Sequence, residues 1–131
     1  MMFGRWLLIW LVVATAAATS CGGAGKSPTA RYSAITSREL RAEIDAGQKL
    51  TIVDLREPEL YRAGRIPGAQ NIPFDQFEQR MNELRPDARI VLVCHNGPMG
   101  DVSGSLLAER GYAKVSNLNG GMAAWDGRIE K

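Results

Sequence analysis

Arg89-Ile90-Val91-Leu92-Val93-Cys94-His95-Asn96-Gly97-Pro98-Met99-Gly100 joins an apolar, β-branched run to a short Gly/Pro turn, and a helical pattern follows at once. A short apolar run, Ile90 to Val93, bounded by turn residues reads as a buried central strand. Gly100 to Arg110 reads as a helix with Val102, Leu106 and Leu107 inward and Gly111 at its end. Cys94 therefore stands at the carboxyl end of a strand, in the turn that feeds a helix N-terminus. Free backbone N–H groups and the positive end of the helix dipole favour an anion at such a place. A cysteine in that setting tends towards the thiolate, the form that reacts.

Outward from this segment the pattern alternates between helix and strand. Thr36 and Glu39 form a capping box for a helix carrying Leu40 and Ile44 on one face, stopped by Gly47. Leu50 to Leu55 reads as a buried strand, and Glu57 to Ala63 as a short helix with Pro58 in its first turn. Asp75 is placed to cap a further helix whose core stripe is Phe74, Phe77, Met81 and Leu84. Val115 to Leu118 reads as another strand and Gly120 to Trp125 as a last short helix. Strands separated by helices imply parallel pairing with right-handed crossovers, hence an α/β fold with a parallel sheet flanked by helices on both sides. Ligands of such open sheets gather at the carboxyl ends of the strands, where Cys94 lies.

The chain has 131 residues, 45% of them hydrophobic and 23% charged, enough for one packed domain with an appendage. A net charge of +2 without a basic stripe excludes nucleic acid as an expected partner. The appendage is N-terminal: Arg5, the apolar run Trp6 to Val13, small residues Ala14 to Ser20, then Cys21. This order describes an export signal. Ala18-Thr19-Ser20-Cys21 resembles a bacterial lipobox, with Ala18 where Leu is usual. An uncleaved anchor helix and secretion after cleavage near Ala18 remain as alternatives. The favoured division is a signal peptide over 1–20, a lipid-attachment cysteine and Gly-rich tether over 21–31, and a domain over 32–131. Each reading exports the domain, and the favoured one makes it a membrane-anchored lipoprotein of the bacterial cell envelope, on its periplasmic or extracellular face. With Cys21 acylated, Cys94 has no disulfide partner in the chain, although export favours oxidised pairs.

Four segments together resemble the rhodanese-like domain: Val53-Asp54-Leu55-Arg56-Glu57-Pro58-Glu59-Leu60-Tyr61, Gly64 to Pro73, the Cys94 loop, and Leu118-Asn119-Gly120-Gly121-Met122-Ala123-Ala124-Trp125. They stand in the family's order and at its spacing, over about Tyr32 to Gly127. The resemblance implies a sulfurtransferase fold in which Cys94 takes up a sulfane sulfur as a persulfide and passes it on. The loop His95, Asn96, Gly97, Pro98, Met99 and Gly100 would cradle the anion through its backbone amides. No metal or organic cofactor is expected. The partners implied are a sulfane-sulfur donor, a thiol or cyanide-like acceptor, a protein partner, and the membrane through the lipid anchor.

The departures from the family pattern concern charge. Rhodaneses active on thiosulfate usually carry a basic residue at the fifth position after the cysteine, which here is Met99. Related cysteine phosphatases carry an Arg at the sixth, which here is Gly100. Phosphatase chemistry is therefore not expected, and thiosulfate is a doubtful donor. Arg56, Arg62 and Arg65 are the candidate substitutes for the missing charge, and Arg56 is equally suited to pair with Asp54 or Glu57. Asp54 is expected to support the loop, and His95, adjacent to the cysteine, is poorly placed as its base. The competing readings are a rhodanese-fold binding module without turnover and a thiol redox sensor.

Overall fold

A computed structural model describes residues 31–131; the expected signal peptide, Cys21 and the expected tether as far as residue 30 lie outside the described residues. Five strands form one parallel sheet in the order β1-β5-β4-β2-β3, with β1 at Ser33–Ile35, β2 at Thr51–Asp54, β3 at Gln70–Asn71, β4 at Ile90–Val93 and β5 at Val115–Leu118. Every pairing is parallel, and β4 is central between β2 and β5. The α/β architecture and the central place of Ile90 to Val93 are as the sequence led us to expect. All four residues of β4 are buried, which a continuous apolar run in a parallel sheet requires.

The helices are α1 (Ser37–Asp45), α2 (Pro58–Ala63), α3 (Phe77–Arg80), α4 (Pro98–Glu109) and α5 (Gly121–Ala124). Thr36 caps α1 through the complete capping box with Glu39. Two apolar layers cover the two faces of the sheet. Ile90, Leu92 and Cys94 pack with Phe77, Met81 and Leu107 on one side. Val91 and Val93 pack with Leu40, Ile66 and Leu118 on the other. This is the period-two alternation of a strand, and it points the Cys94 side chain into the α3/α4 layer. Burial of each large side chain contributes about 1.5–3 kcal/mol, so the layers on either side of β4 fix its register and with it the position of Cys94.

Four details differ from the sequence reading. The segment from Phe74 is not one helix capped by Asp75. It is a 3₁₀ turn (Phe74–Gln76), α3, and a second 3₁₀ turn (Met81–Glu83), with Pro73 at the cap position. Phe74 is consequently left exposed while Phe77, Met81 and Leu84 are buried. Val102 faces solvent at 59% exposure, and the inward face of α4 is made by Gly100, Ser103, Gly104, Leu107 and Ala108 instead. Helix α4 begins at Pro98, so Pro98, Met99 and Gly100 belong to its first turn and not to the preceding loop. The edge strands β1 and β3 carry too little apolar sequence to be read as strands. Among the described residues, no helix is long and apolar enough to cross a membrane.

Candidate active site

Cys94 leaves β4 at the top of the sheet and is fully buried, free of any disulfide. Its Sγ accepts a hydrogen bond of 3.0 Å from the Gly97 amide. The contact sets a backbone donor directly on the sulfur, from the turn that follows the strand. Gly97 is the cap residue of α4 and has φ 127°, a conformation that a side chain would strain, so glycine here is what lets the chain turn back over the sulfur. The amides of Met99 and Gly100, in the first turn of this 12-residue helix, have no intrahelical acceptor. Pro98 contributes no hydrogen. The cradle expected from His95 to Gly100 is thus interrupted at Pro98 and divided between the loop 95–97 and the helix.

A second wall holds the loop from behind. At the start of α5 the Met122 amide donates to the Cys94 carbonyl at 2.8 Å and the Ala123 amide to the His95 carbonyl at 3.0 Å. Gly121, at φ 55°, makes this approach: a Cβ there would lie 2.4 Å from the Cys94 carbonyl oxygen and 2.7 Å from the Asn96 nitrogen. Asn117, buried in β5, donates through Nδ2 to the Gly97 carbonyl at 2.9 Å and to Asp101 at 2.8 Å. Its Oδ1 occupies the space where a Cβ at Gly100 would stand. A side chain at position 100, the phosphatase arginine position, therefore has no room while Asn117 keeps this place.

Asp54 and Arg56 are brought together as a pair and not towards the thiol. The Arg56 guanidinium donates to both Asp54 carboxylate oxygens, at 2.6 Å for the shortest contact, and to the Gly64 carbonyl at 2.7 Å. Both side chains are buried, and Asn71 ties the same turn by donating to the Asp54 and Arg56 carbonyls. Arg62 pairs with Glu59, while Arg65 pairs with Glu130 and stacks 4.7 Å over the Tyr61 ring. The three candidate substitutes for a loop cation are thus engaged elsewhere. Removing one partner of the buried pair leaves a charge uncompensated, at a cost of about 3–5 kcal/mol. Asp54→Ala is accordingly expected to lower the unfolding free energy by about 3–5 kcal/mol, read by chemical unfolding.

His95 turns outward and meets Glu57 at 2.8 Å, which links the loop to the cap of α2. The Glu57 carboxyl is held below its ordinary value, chiefly by its own backbone amide and further by His95. Its charged form is therefore the one present at neutral pH, and this partner is lost as pH falls through the lowered value. Asn96 is exposed. Met99 packs against the α3/α4 layer and lines a cleft of 370 Å³ with Leu55, Pro58, Pro73, Phe74, Gln76 and the carboxylates Glu57, Glu59 and Asp75. Among the described residues, no Lys or Arg lines this cleft. A larger one of 460 Å³, between α1 and the C-terminal segment, takes none of the loop residues into its wall. Among the described residues no group of three or more His, Cys, Asp or Glu side chains is arranged to hold a metal ion.

The residues that the sequence reading missed are Glu57 as a partner of His95, Asn117 and Gly121 as loop supports, and Asp75 as part of the cleft wall. Asn117 carried one signal, an amide in the otherwise small and apolar run Val115 to Leu118.

The sequence model of the rhodanese-like domain matches residues 36–128. YrkF of Bacillus subtilis is 33% identical over 96 residues, which are 73% of this chain and 52% of YrkF, so the chain spans about half of that relative. Thiosulfate sulfurtransferase GlpE of Pseudoalteromonas translucida is 33% identical over 79 residues, 60% of this chain and 75% of GlpE. The crystal structure of a rhodanese-like domain protein from Staphylococcus aureus superposes with a TM-score of 0.65 at 29% identity, covering 75% of this chain and 96% of that one. With the strand-end cysteine, the Gly97 turn and the Gly120-Gly121 support gathered at the carboxyl ends of one parallel sheet, and the family model matching over residues 36–128, the chain belongs to the rhodanese-like domain family.

Proposed function

We propose that the chain is a sulfurtransferase or persulfide carrier of the bacterial cell envelope, with Cys94 as the nucleophile and Cys21 as the lipid-attachment site. The observation that carries the chemistry is the Gly97 amide on the Cys94 sulfur at the strand end. The relative named thiosulfate sulfurtransferase supports the reaction class. In the first half-reaction the Cys94 thiolate attacks the sulfane sulfur of a donor. The donor's S–S bond breaks, and its remainder leaves with the electron pair as a thiolate or sulfite. The product is Cys94–S–S⁻, whose charge the Gly97 amide and the first-turn amides of α4 stabilise. A thiolate or cyanide then attacks the outer sulfur, the bond to Sγ breaks, and the Cys94 thiolate is restored. Because Cys94 is fully buried, each transfer requires the loop 95–97 to open. That same burial favours the second reading, a binding module without turnover. Transfer of sulfur from a persulfide donor to a thiol, at a rate proportional to the amount of chain, distinguishes the two; no transfer leaves the module.

The acidic cleft beside Met99 disfavours dianionic donors. Its carboxylates, of which Glu59 is paired with Arg62, repel a dianion such as thiosulfate more than a singly charged or protein-bound persulfide. Met99→Arg would supply the missing cation, but Glu57 lines the same cleft and competes for the guanidinium. A charge-assisted contact is worth about 1.5–3 kcal/mol, or roughly tenfold to a hundredfold. Met99→Arg alone is therefore expected to raise apparent thiosulfate affinity by about tenfold, the lower end of that range. Combination with Glu57→Gln is expected to approach about a hundredfold, the upper end, with less change for a singly charged persulfide. Steady-state thiosulfate:cyanide transfer measures both.

A further inference from the structure

The end of the sheet opposite Cys94 gathers positive charge. Two adjoining clefts lie there, at the amino ends of the strands, sharing Arg89 and Lys114 in their walls. Lys49 and Arg85 line one, Arg31 the other, and all three are exposed, as is Lys114. Against these five cations stand Asp87, paired with Arg85, and Glu43, paired with the half-buried Arg89. Arg31, Lys49 and Lys114 have no ion-pair partner among the described residues. The same end receives the chain from the N-terminal segment, since Arg31 leads into β1. The charge contrast with the Cys94 end is direct, because the cleft beside Met99 carries Glu57, Glu59 and Asp75.

We propose that the face formed by Arg31, Lys49, Arg85, Arg89 and Lys114 docks on anionic lipid headgroups of the membrane that holds the N-terminal segment, so that the Cys94 loop faces away from it. The proposal rests on the reading that the chain is anchored through Cys21 or its preceding apolar run. Nine residues, Gly22 to Ala30, separate Cys21 from Arg31. A Gly-rich linker of this length is expected from composition alone to reach roughly 15–18 Å, which would keep the basic face near the headgroups without forcing contact. Juxtamembrane cations then act within a Debye length of about 8 Å. From Arg89 to Cys94 the strand climbs about 16 Å, so the acidic cleft lies about two Debye lengths further out. Attraction at one end and weak repulsion at the other select the same orientation. A protein or small-molecule sulfur donor then meets the reactive end unobstructed by the bilayer.

The full chain, isolated from membranes of an expressing bacterium, is reconstituted on phosphatidylcholine vesicles with or without phosphatidylglycerol. Retention is tested by a high-salt wash, and docking by backbone hydrogen exchange at low salt. The expected result is retention on both vesicles, with exchange around Lys49, Arg85 and Lys114 slowed at least about fivefold only where phosphatidylglycerol is present, the effect of one membrane-facing cation. The loop 94–97 should be unaffected. Lys49→Gln with Lys114→Gln should abolish the protection and leave sulfur transfer unchanged. Retention on both vesicles with no such protection overturns the docking and leaves the anchor standing. Release from phosphatidylcholine, with salt-reversible protection by phosphatidylglycerol, overturns the anchor and supports the docking. Protection of the same segments by duplex DNA and not by vesicles overturns the proposal in favour of a nucleic-acid face.

Discussion

Gly121→Ala is expected to lose both stability and sulfur transfer, without touching a reacting atom. The added methyl would stand 2.4 Å from the Cys94 carbonyl oxygen and 2.7 Å from the Asn96 nitrogen, closer than carbon tolerates. Both obstacles are backbone, so no side chain can rotate out of the way. The left-handed φ of 55° adds a cost of about 1–2 kcal/mol for a residue with a Cβ. Forced displacement in a packed site adds about 1–3 kcal/mol. Together they predict a loss of about 2–5 kcal/mol, and at this domain size each kcal/mol lowers the melting temperature by about 4–8 °C. If α5 instead retreats, the Met122 and Ala123 amides leave the Cys94 and His95 carbonyls and the loop is released. A shift of about 1 Å at a reacting group costs about a hundredfold in rate. Calorimetry and a sulfur-transfer assay on the same preparation read the two losses. Wild-type values in both would mean that the Gly120-Gly121 turn does not hold the loop.

Cys94→Ser is expected to abolish sulfur loading while leaving the domain folded. Serine is close in size to cysteine, and its oxygen can still accept from the Gly97 amide that now meets Sγ at 3.0 Å. What is lost is a nucleophile able to form a bond to sulfur at neutral pH, since the hydroxyl has no adjacent base. His95 does not supply one, because its ring is engaged with Glu57. Transfer should fall to the level of the uncatalysed reaction, with the unfolding free energy lowered by about 1–3 kcal/mol for the hydroxyl buried in place of the thiol. Residual transfer at a substantial fraction of the wild-type rate would remove Cys94 from the chemistry.

The parallel sheet and the position of Cys94 were legible because they rest on local signals. Ile90 to Val93 is continuously apolar, Thr36 and Glu39 cap each other, and Gly97-Pro98 marks a turn into a helix. What was not legible depends on distant contacts. β1 and β3 are strands because β5 and β2 offer them free edges, not because Ser33-Ala34-Ile35 or Gln70-Asn71 is strongly β-forming. Val102 turns outward because the small residues Gly100 and Gly104 take the inward face of α4, where Asn117 and Tyr32 approach at close range. Phe74 is exposed because the segment breaks into 3₁₀ turns, which places it in the wall of the cleft beside Met99. The missing loop cation was visible as Met99. That Arg56 does not replace it became visible only with both Asp54 oxygens and the Gly64 carbonyl in place around the guanidinium.

Intact mass of the full chain after incubation with a low-molecular-weight persulfide donor tests the central claim most directly. A gain of about one sulfur atom, localised to Cys94 by peptide mapping and removed by cyanide, is the result predicted for an enzyme that carries sulfane sulfur as a persulfide. An unchanged mass, or an added mass that cyanide does not remove, would contradict it.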